Sequence, residues 1–264
     1  DAARGGGRRA NAPLPVARGG PRGAGRAGVV RRRCRGDILA RPRRAEEPPM
    51  PTPRHADTPA PDTALIVVDV QVGFLPGGNL PVARGDEVVP IINDLARRYA
   101  AVVLTQDWHA PDHLSFASAH PGKAPFETIE LPYGPQVLWP DHCVMGTRDA
   151  AFAPGLDIPH AQAIIRKGYR RAVDSYSGFL EADRTTRTGL DGYLASRGIR
   201  VVHLCGLATD FCVAWTALDA RRFGLAAAVI ADACRGIDID GSLARAWAEM
   251  EAAGVRRIAA ADIP

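Results

Sequence analysis

From residue 64 onward, unbroken apolar runs alternate with segments whose apolar residues recur at helical spacing. That alternation constrains the fold more than any other feature of the chain. ALIVVDV (64–70) is an apolar run closed by an acid, the pattern of a strand covered on both faces. DEVVPIINDLARRYA (86–100) has helix-period apolar positions, acids at its start and arginines at its end. AVVLTQD (101–107) reads as a second buried strand, and a Pro-rich irregular stretch follows to about residue 160. Strands are then expected at 163–168, 201–206, 225–232 and in VRRIAAAD (255–262), with helices at 188–198, 210–224 and 242–254. Strand and helix in turn argue for an α/β fold: a doubly wound, mostly parallel six-stranded sheet with helices on both faces. In such sheets the ligand site lies beyond the carboxyl ends of the strands. The first strand is followed by DVQVGFLPGG, which lacks the GxGxxG phosphate cradle and so disfavours a dinucleotide.

The chain has 264 residues, enough for one large domain or two small ones with a buried core. No apolar run reaches the roughly 18 residues of a membrane span. Five cysteines (34, 143, 205, 212 and 234) lie scattered without CxxC spacing. They suggest neither a disulfide framework nor a thiolate zinc site, and they suit a reducing, cytoplasmic setting. The net charge of +4 conceals an asymmetry. Residues 1–49 hold thirteen Arg against four acids, so the remainder is net acidic by five charges, and a nucleic-acid-binding body is not supported. Residues 1–60 are rich in Arg, Gly, Ala and Pro, and no Phe, Trp or Tyr occurs before Phe74. That composition predicts a basic, disordered segment ahead of a domain at 61–264. Three readings of it stay open: a stretch upstream of a functional start at Met50, an arginine arm pairing with phosphates, and a targeting segment. The absence of Ser from residues 1–50 counts against the last.

Chemistry-bearing side chains fall at the strand ends. Asp69 closes the first strand, Asp107 and His109 follow the second, Lys167 closes the third and Cys212 follows the fourth. A carboxylate, an amine and a thiol at one sheet edge make a coherent nucleophile site. A helix N-terminus and a nearby ammonium both favour a thiolate, so Cys212 in the first turn of its helix beside Lys167 is expected to have a lowered pKa. Asp69 then serves as proton acceptor and donor, and backbone amides around Ala208 and Cys212 form an oxyanion hole. A second cluster lies in TQDWHAPDHLSFASAH and WPDHC. Asp107, His109 and His142, with His113 as a further candidate, offer one carboxylate and imidazoles to a divalent ion such as Zn²⁺, Fe²⁺ or Mn²⁺. Cys205 and Cys234 read as packing residues, and Cys143, adjacent to His142, is expected near the metal site without ligating it.

The runs VVDVQVGF, TQDWHAPDHLSFASAH, LWPDHCVMGT, IIRKG, VDSYSGF and GLATDFCV appear in this order across residues 64–264, and the body resembles the nicotinamidases of the isochorismatase-like cysteine hydrolases. The resemblance implies that Asp69, Lys167 and Cys212 form the catalytic triad. It implies one metal ion on Asp107, His109 and His142, zinc being favoured, and leaves His113 a fourth ligand in some members only. It further implies that Phe74, Trp139 and Tyr176 wall the substrate ring and that a cis peptide at Leu207–Ala208 shapes the oxyanion hole. The implied reaction is hydrolysis of nicotinamide to nicotinate and ammonia through a cysteine thioester, in NAD salvage, with pyrazinamide-like amides also accepted. An amidase acting on a carbamoyl or ureido substrate is the alternative, and a non-catalytic metal-binding scaffold is a more distant one. Neither a membrane nor a nucleic acid is expected as a partner of the body, and oligomeric state stays open, a homo-oligomer included.

Overall fold

The computed structural model of the chain describes residues 58–264. The segment expected to be basic and disordered therefore lies almost wholly outside the described residues. The remainder is built on a six-stranded sheet ordered β5-β2-β1-β6-β7-β8, in which every adjacent pair is parallel. In chain order these are β1 (Thr63–Val68), β2 (Ala101–Asp107), the separate hairpin strands β3 (Thr128–Leu131) and β4 (Gly134–Val137), then β5 (Ala163–Lys167), β6 (Val201–Leu207), β7 (Ala226–Arg235) and β8 (Arg256–Ile258). The helices are α1 (Val88–Ala96), α2 (Leu190–Ser196), α3 (Ala214–Arg222) and α4 (Ser242–Ala252).

The central strands β1 and β6 are buried almost end to end, which is what a continuous apolar run with no polar face requires. From β1 the chain steps outward through α1 to β2, and from β6 it steps the opposite way through α3 to β7. Right-handed crossovers in opposite directions place α1 and α3 on opposite faces of the sheet. The reversal occurs between β1 and β6, and a crevice opens there at the carboxyl ends of the strands. Asp69 leaves β1 and Cys212 follows β6 at that crevice. The helix α3 carries Arg221 and Arg222 in its last turn, where they oppose the carbonyl end of the dipole, and Gly224, at φ +81, follows its end.

Several boundaries differ from the sequence-based expectation. The first helix begins as a single 3₁₀ turn (Gly85–Glu87) and its α-helical part ends at Ala96, four residues early, where Arg98 N–H bonds back to Leu95 O in a tightened last turn. The final strand stops at Ile258, and a 3₁₀ turn (Ala260–Asp262) takes up the rest of the expected run. The β3–β4 hairpin falls in the stretch expected to be irregular. Residues 210–213, expected to open a helix, belong instead to a π-helical turn (Thr209–Val213) with Val213 N–H on Ala208 O at 3.1 Å. Among the described residues no helix is long and apolar enough to cross a membrane.

Candidate active site

Parallel pairing of β2 with β5 sets Asp107 directly against Lys167. Lys167 is fully buried, and its Nζ reaches four groups: Asp107 Oδ1 at short range, Ser175 O at 2.8 Å, Asp69 Oδ2 at 2.9 Å and Cys212 Sγ at 3.4 Å. Burial alone would discharge this amine. Asp107 and Asp69 outweigh it and hold the Lys167 pKa well above its ordinary value. Asp69 takes up a left-handed backbone conformation, φ +46, just past β1. Thr105 Oγ1 donates to Asp69 Oδ1 at 2.6 Å. Asp69 Oδ2 faces Lys167 off the direction of a hydrogen bond and has no such partner, so it is free to accept a proton. Burial, outweighing Lys167, raises the Asp69 pKa toward the range of a working base.

Cys212 differs from expectation in one respect. Its sulfur lies beside Lys167 as the strand ends suggest, but burial dominates and lifts its pKa well above that of a free thiol, with Lys167 opposing. The sequence weighed the ammonium and the helix end without the cost of desolvating a thiolate, and that cost wins. The resting group is a thiol next to a carboxylate oxygen that is paired with Lys167 but accepts no hydrogen bond.

Asp107 divides its two oxygens. Oδ1 is held by Lys167, while Oδ2 faces His109 Nε2 at 3.6 Å and His142 Nε2 at 3.9 Å. Each imidazole spends its Nδ1 on a backbone carbonyl, His109 on Gly168 O at 2.9 Å and His142 on Pro140 O at 2.8 Å. That fixes the tautomer and turns both Nε2 lone pairs toward the carboxylate. The segment that carries His142 is pinned beside His109 by His109 N–H on Cys143 O and Met145 N–H on His109 O. The three donor atoms lie within 4.8 Å of one another. Burial, aided by His109, pushes the His142 pKa down to about 4, while Asp107 overcomes burial to raise that of His109. A buried carboxylate that draws a proton between two imidazoles also attracts a cation there, and two imidazoles with one carboxylate fit a divalent ion. His113 is arranged differently. Its Nδ1 meets Ser115 Oγ at 2.7 Å and its Nε2 meets Arg170 O at 2.9 Å, so both ring nitrogens are engaged while the ring packs on His109.

Cys212 of the first cluster and all three side chains of the second line one cavity, together with Ala208 and a set of aromatic rings. Phe74, Trp139 and Tyr176 are all in its wall. Trp139 is oriented by its Nε1–H on Tyr176 Oη at 3.0 Å. The peptide between Leu207 and Ala208 is cis. Ala208 lines the cavity, whereas Leu207 is fully buried and does not.

A family model described as Isochorismatase domain matches residues 63–262. The chain belongs to the isochorismatase family. Within that family it is 62% identical over 200 residues to a nicotinamidase of Acinetobacter baylyi, a match covering 76% of this chain and 94% of that protein. Among solved structures, a nicotinamidase/pyrazinamidase of Acinetobacter baumanii gives a TM-score of 0.76 at 61% identity, covering 77% of this chain and 98% of the other. A pyrazinamidase of Pyrococcus horikoshii in complex with zinc gives 0.62 at 35% identity, covering 75% and 99%. The parallel six-stranded sheet expected from the sequence is thus the isochorismatase-family architecture.

Several residues in the wall of this isochorismatase-family cavity or behind it escaped the sequence reading. Gln71 is fully buried and clamps the backbone of Asp107, donating to its O at 2.8 Å and accepting from its N–H at 2.8 Å. Asp174 lines the cavity and accepts from Gln136 Nε2 at 2.8 Å. Phe211, Leu80 and Ile237 complete the wall, Phe211 lying edge-to-face on Trp139 at 4.9 Å. Gln71 and Asp174 sit inside the runs VVDVQVGF and VDSYSGF, where a polar residue among buried neighbours was the available signal.

Proposed function

We propose that the chain hydrolyses nicotinamide to nicotinate and ammonia, with Cys212 as nucleophile, Asp69 as proton carrier and Lys167 as the buried cation that holds them together. The observation that carries this reading is the meeting of Cys212 Sγ, Lys167 Nζ and Asp69 Oδ2 behind a cavity that Cys212 lines together with Asp107, His109 and His142. The names of its relatives supply the substrate class: a nicotinamidase at 62% identity and a nicotinamidase/pyrazinamidase at 61%.

In this reading Asp69 takes the thiol proton as Sγ attacks the carboxamide carbon. Lys167, already charged, stabilises the incipient thiolate, so burial of the sulfur costs least in the transition state. Backbone N–H groups around Ala208 and Cys212 receive the oxyanion. Asp69 returns its proton to the amide nitrogen, ammonia leaves, and a thioester joins the ring acyl group to Cys212. Asp69 then draws a proton from water, which cleaves the thioester, releases nicotinate and restores the thiol. Asp107, His109 and His142 would hold a divalent ion, zinc being the metal of the Pyrococcus relative. Such an ion supplies a Lewis-acidic anchor for the pyridine nitrogen. Phe74, Trp139, Tyr176 and Phe211 hold the faces of the ring and exclude water, and the same walls suit pyrazinamide-like amides. The described residues from 61 to 264 act as one hydrolase domain, in the cytoplasm and in NAD salvage, in keeping with four buried unpaired cysteines.

The test is ammonia release from nicotinamide by the purified, metal-replete chain and by Cys212→Ala. The wild type should turn over and the variant should be silent; an inactive wild type, or a variant of equal rate, overturns the reading.

A further inference from the structure

Beyond the wall of the cavity, the loop 236–241 joins β7 to α4 with an unusual backbone: Asp238, Asp240 and Gly241 all have positive φ. Two consecutive N–H groups of this loop converge on one side chain, and the next reaches it through a serine hydroxyl. Ile237 N–H donates to Asp210 Oδ1 at 2.9 Å, and Asp238 N–H donates to Asp210 Oδ2 at 2.8 Å. Ile239 N–H donates to Ser242 Oγ at 2.9 Å, and that hydroxyl donates to Asp210 Oδ2 at 2.5 Å. Successive N–H groups curled around a carboxylate form a concave anion nest, and charge-assisted bonds of this kind are the strong ones. Asp210 is only 6% exposed, so the bonds form largely out of water. Gly236 makes the approach possible, because a Cβ there would stand 2.9 Å from Leu243 Cδ1 and 3.1 Å from Asp210 Oδ1.

Two positions tie this nest to the chemistry. Asp210 lies two residues before Cys212, within the same π-helical turn. Ile237, held by its N–H, lines the same cavity as Cys212. We infer that Asp210, with Ser242 as its relay, is a positioning residue that fixes Ile237 as the size-limiting wall of the ring pocket. The carboxylate sets the distance between the loop and the nucleophile's turn, so the loop selects which flat amides reach the sulfur. This inference rests on the proposed amide hydrolysis for its substrate, but the nest itself does not.

The experiment compares the wild type, Asp210→Asn, Ser242→Ala and Ile237→Ala. Its three readouts are hydrogen exchange at residues 236–241, thermal midpoint, and kcat and KM for nicotinamide and a ring-methylated nicotinamide. Asp210→Asn and Ser242→Ala should speed exchange in the loop at least tenfold and raise KM for nicotinamide about fivefold or more, with kcat changing less than twofold. Both should also narrow the preference for nicotinamide over its methylated analogue. Ile237→Ala should reproduce that loss of preference with loop exchange unchanged. Folded variants with wild-type exchange, or with fast exchange and unaltered KM and preference, overturn the inference. A wild type that releases no ammonia from nicotinamide overturns the functional reading instead, and loop exchange in the variants then still decides whether Asp210 is the latch.

Discussion

Lys167 carries the tightest electrostatic constraint at the scale of single residues. Its ammonium is fully buried between two carboxylates that would otherwise repel each other out of water. Replacing it by Met leaves both acids without their cation, and such uncompensated buried charge costs about 3–5 kcal/mol. Lys167→Met is therefore expected to lose stability on that order, read as a lower urea midpoint, before its effect on turnover is considered. Asp69→Asn keeps the shape and removes the base. It should lower kcat by about 10²–10⁴-fold, the usual worth of a positioned acid–base group, while retaining bound metal by elemental analysis. The three side chains were legible in the sequence because each terminates or follows an apolar run. The protonation state of Cys212 was not, since the weight of desolvation depends on burial that no local spacing encodes.

Among the elements, the β2–β5 pair does most to align the site. Register brings Asp107 beside Lys167, and the next residue, Gly168, supplies the carbonyl that fixes His109. Gly168 has φ +66, and a Cβ on it would stand 2.5 Å from His109 Cε1. Gly168→Ala must then displace the imidazole. Partners one step behind a metal ligand, the role proposed for His109, typically contribute 10–100-fold to affinity. The variant is expected to lose its metal at least tenfold more readily to a chelator, measured by elemental analysis after dialysis, with the circular dichroism of the sheet preserved. The buried strands could be read directly, because runs such as ALIVVDV have no polar face to confuse them. The β3–β4 hairpin could not: its residues are mostly part-exposed, and two prolines and a glycine interrupt the pattern. The π-helical turn was equally hidden, since TDFCV has the spacing of an ordinary helix start and only the extra residue in the Ala208–Val213 bond distinguishes it.

For the molecule as a whole, sequence and fold agree because the reversal of strand order between β1 and β6 converts a one-dimensional list of strand ends into one crevice. One stability determinant lies away from that crevice. On β6, His203 receives the Tyr99 hydroxyl on Nδ1 at 2.6 Å and is nearly buried. Burial first, and Arg256 second, push its pKa down to about 4 from the ordinary 6.5. The fold thus favours the neutral ring, while the unfolded chain binds a proton below pH 6.5. Stability should fall as pH drops from 6.5 to 4, by on the order of 3 kcal/mol from this group, and the His203→Gln variant should show a flatter profile of thermal midpoint against pH. The central claim is that the crevice works through sulfur, and intact-mass analysis of enzyme quenched during turnover of nicotinamide tests it most directly. A nicotinoyl adduct on Cys212, formed with release of ammonia and absent from Cys212→Ala, is the predicted result. Continued ammonia release with Cys212 unmodified, and retained by Cys212→Ala, would contradict it.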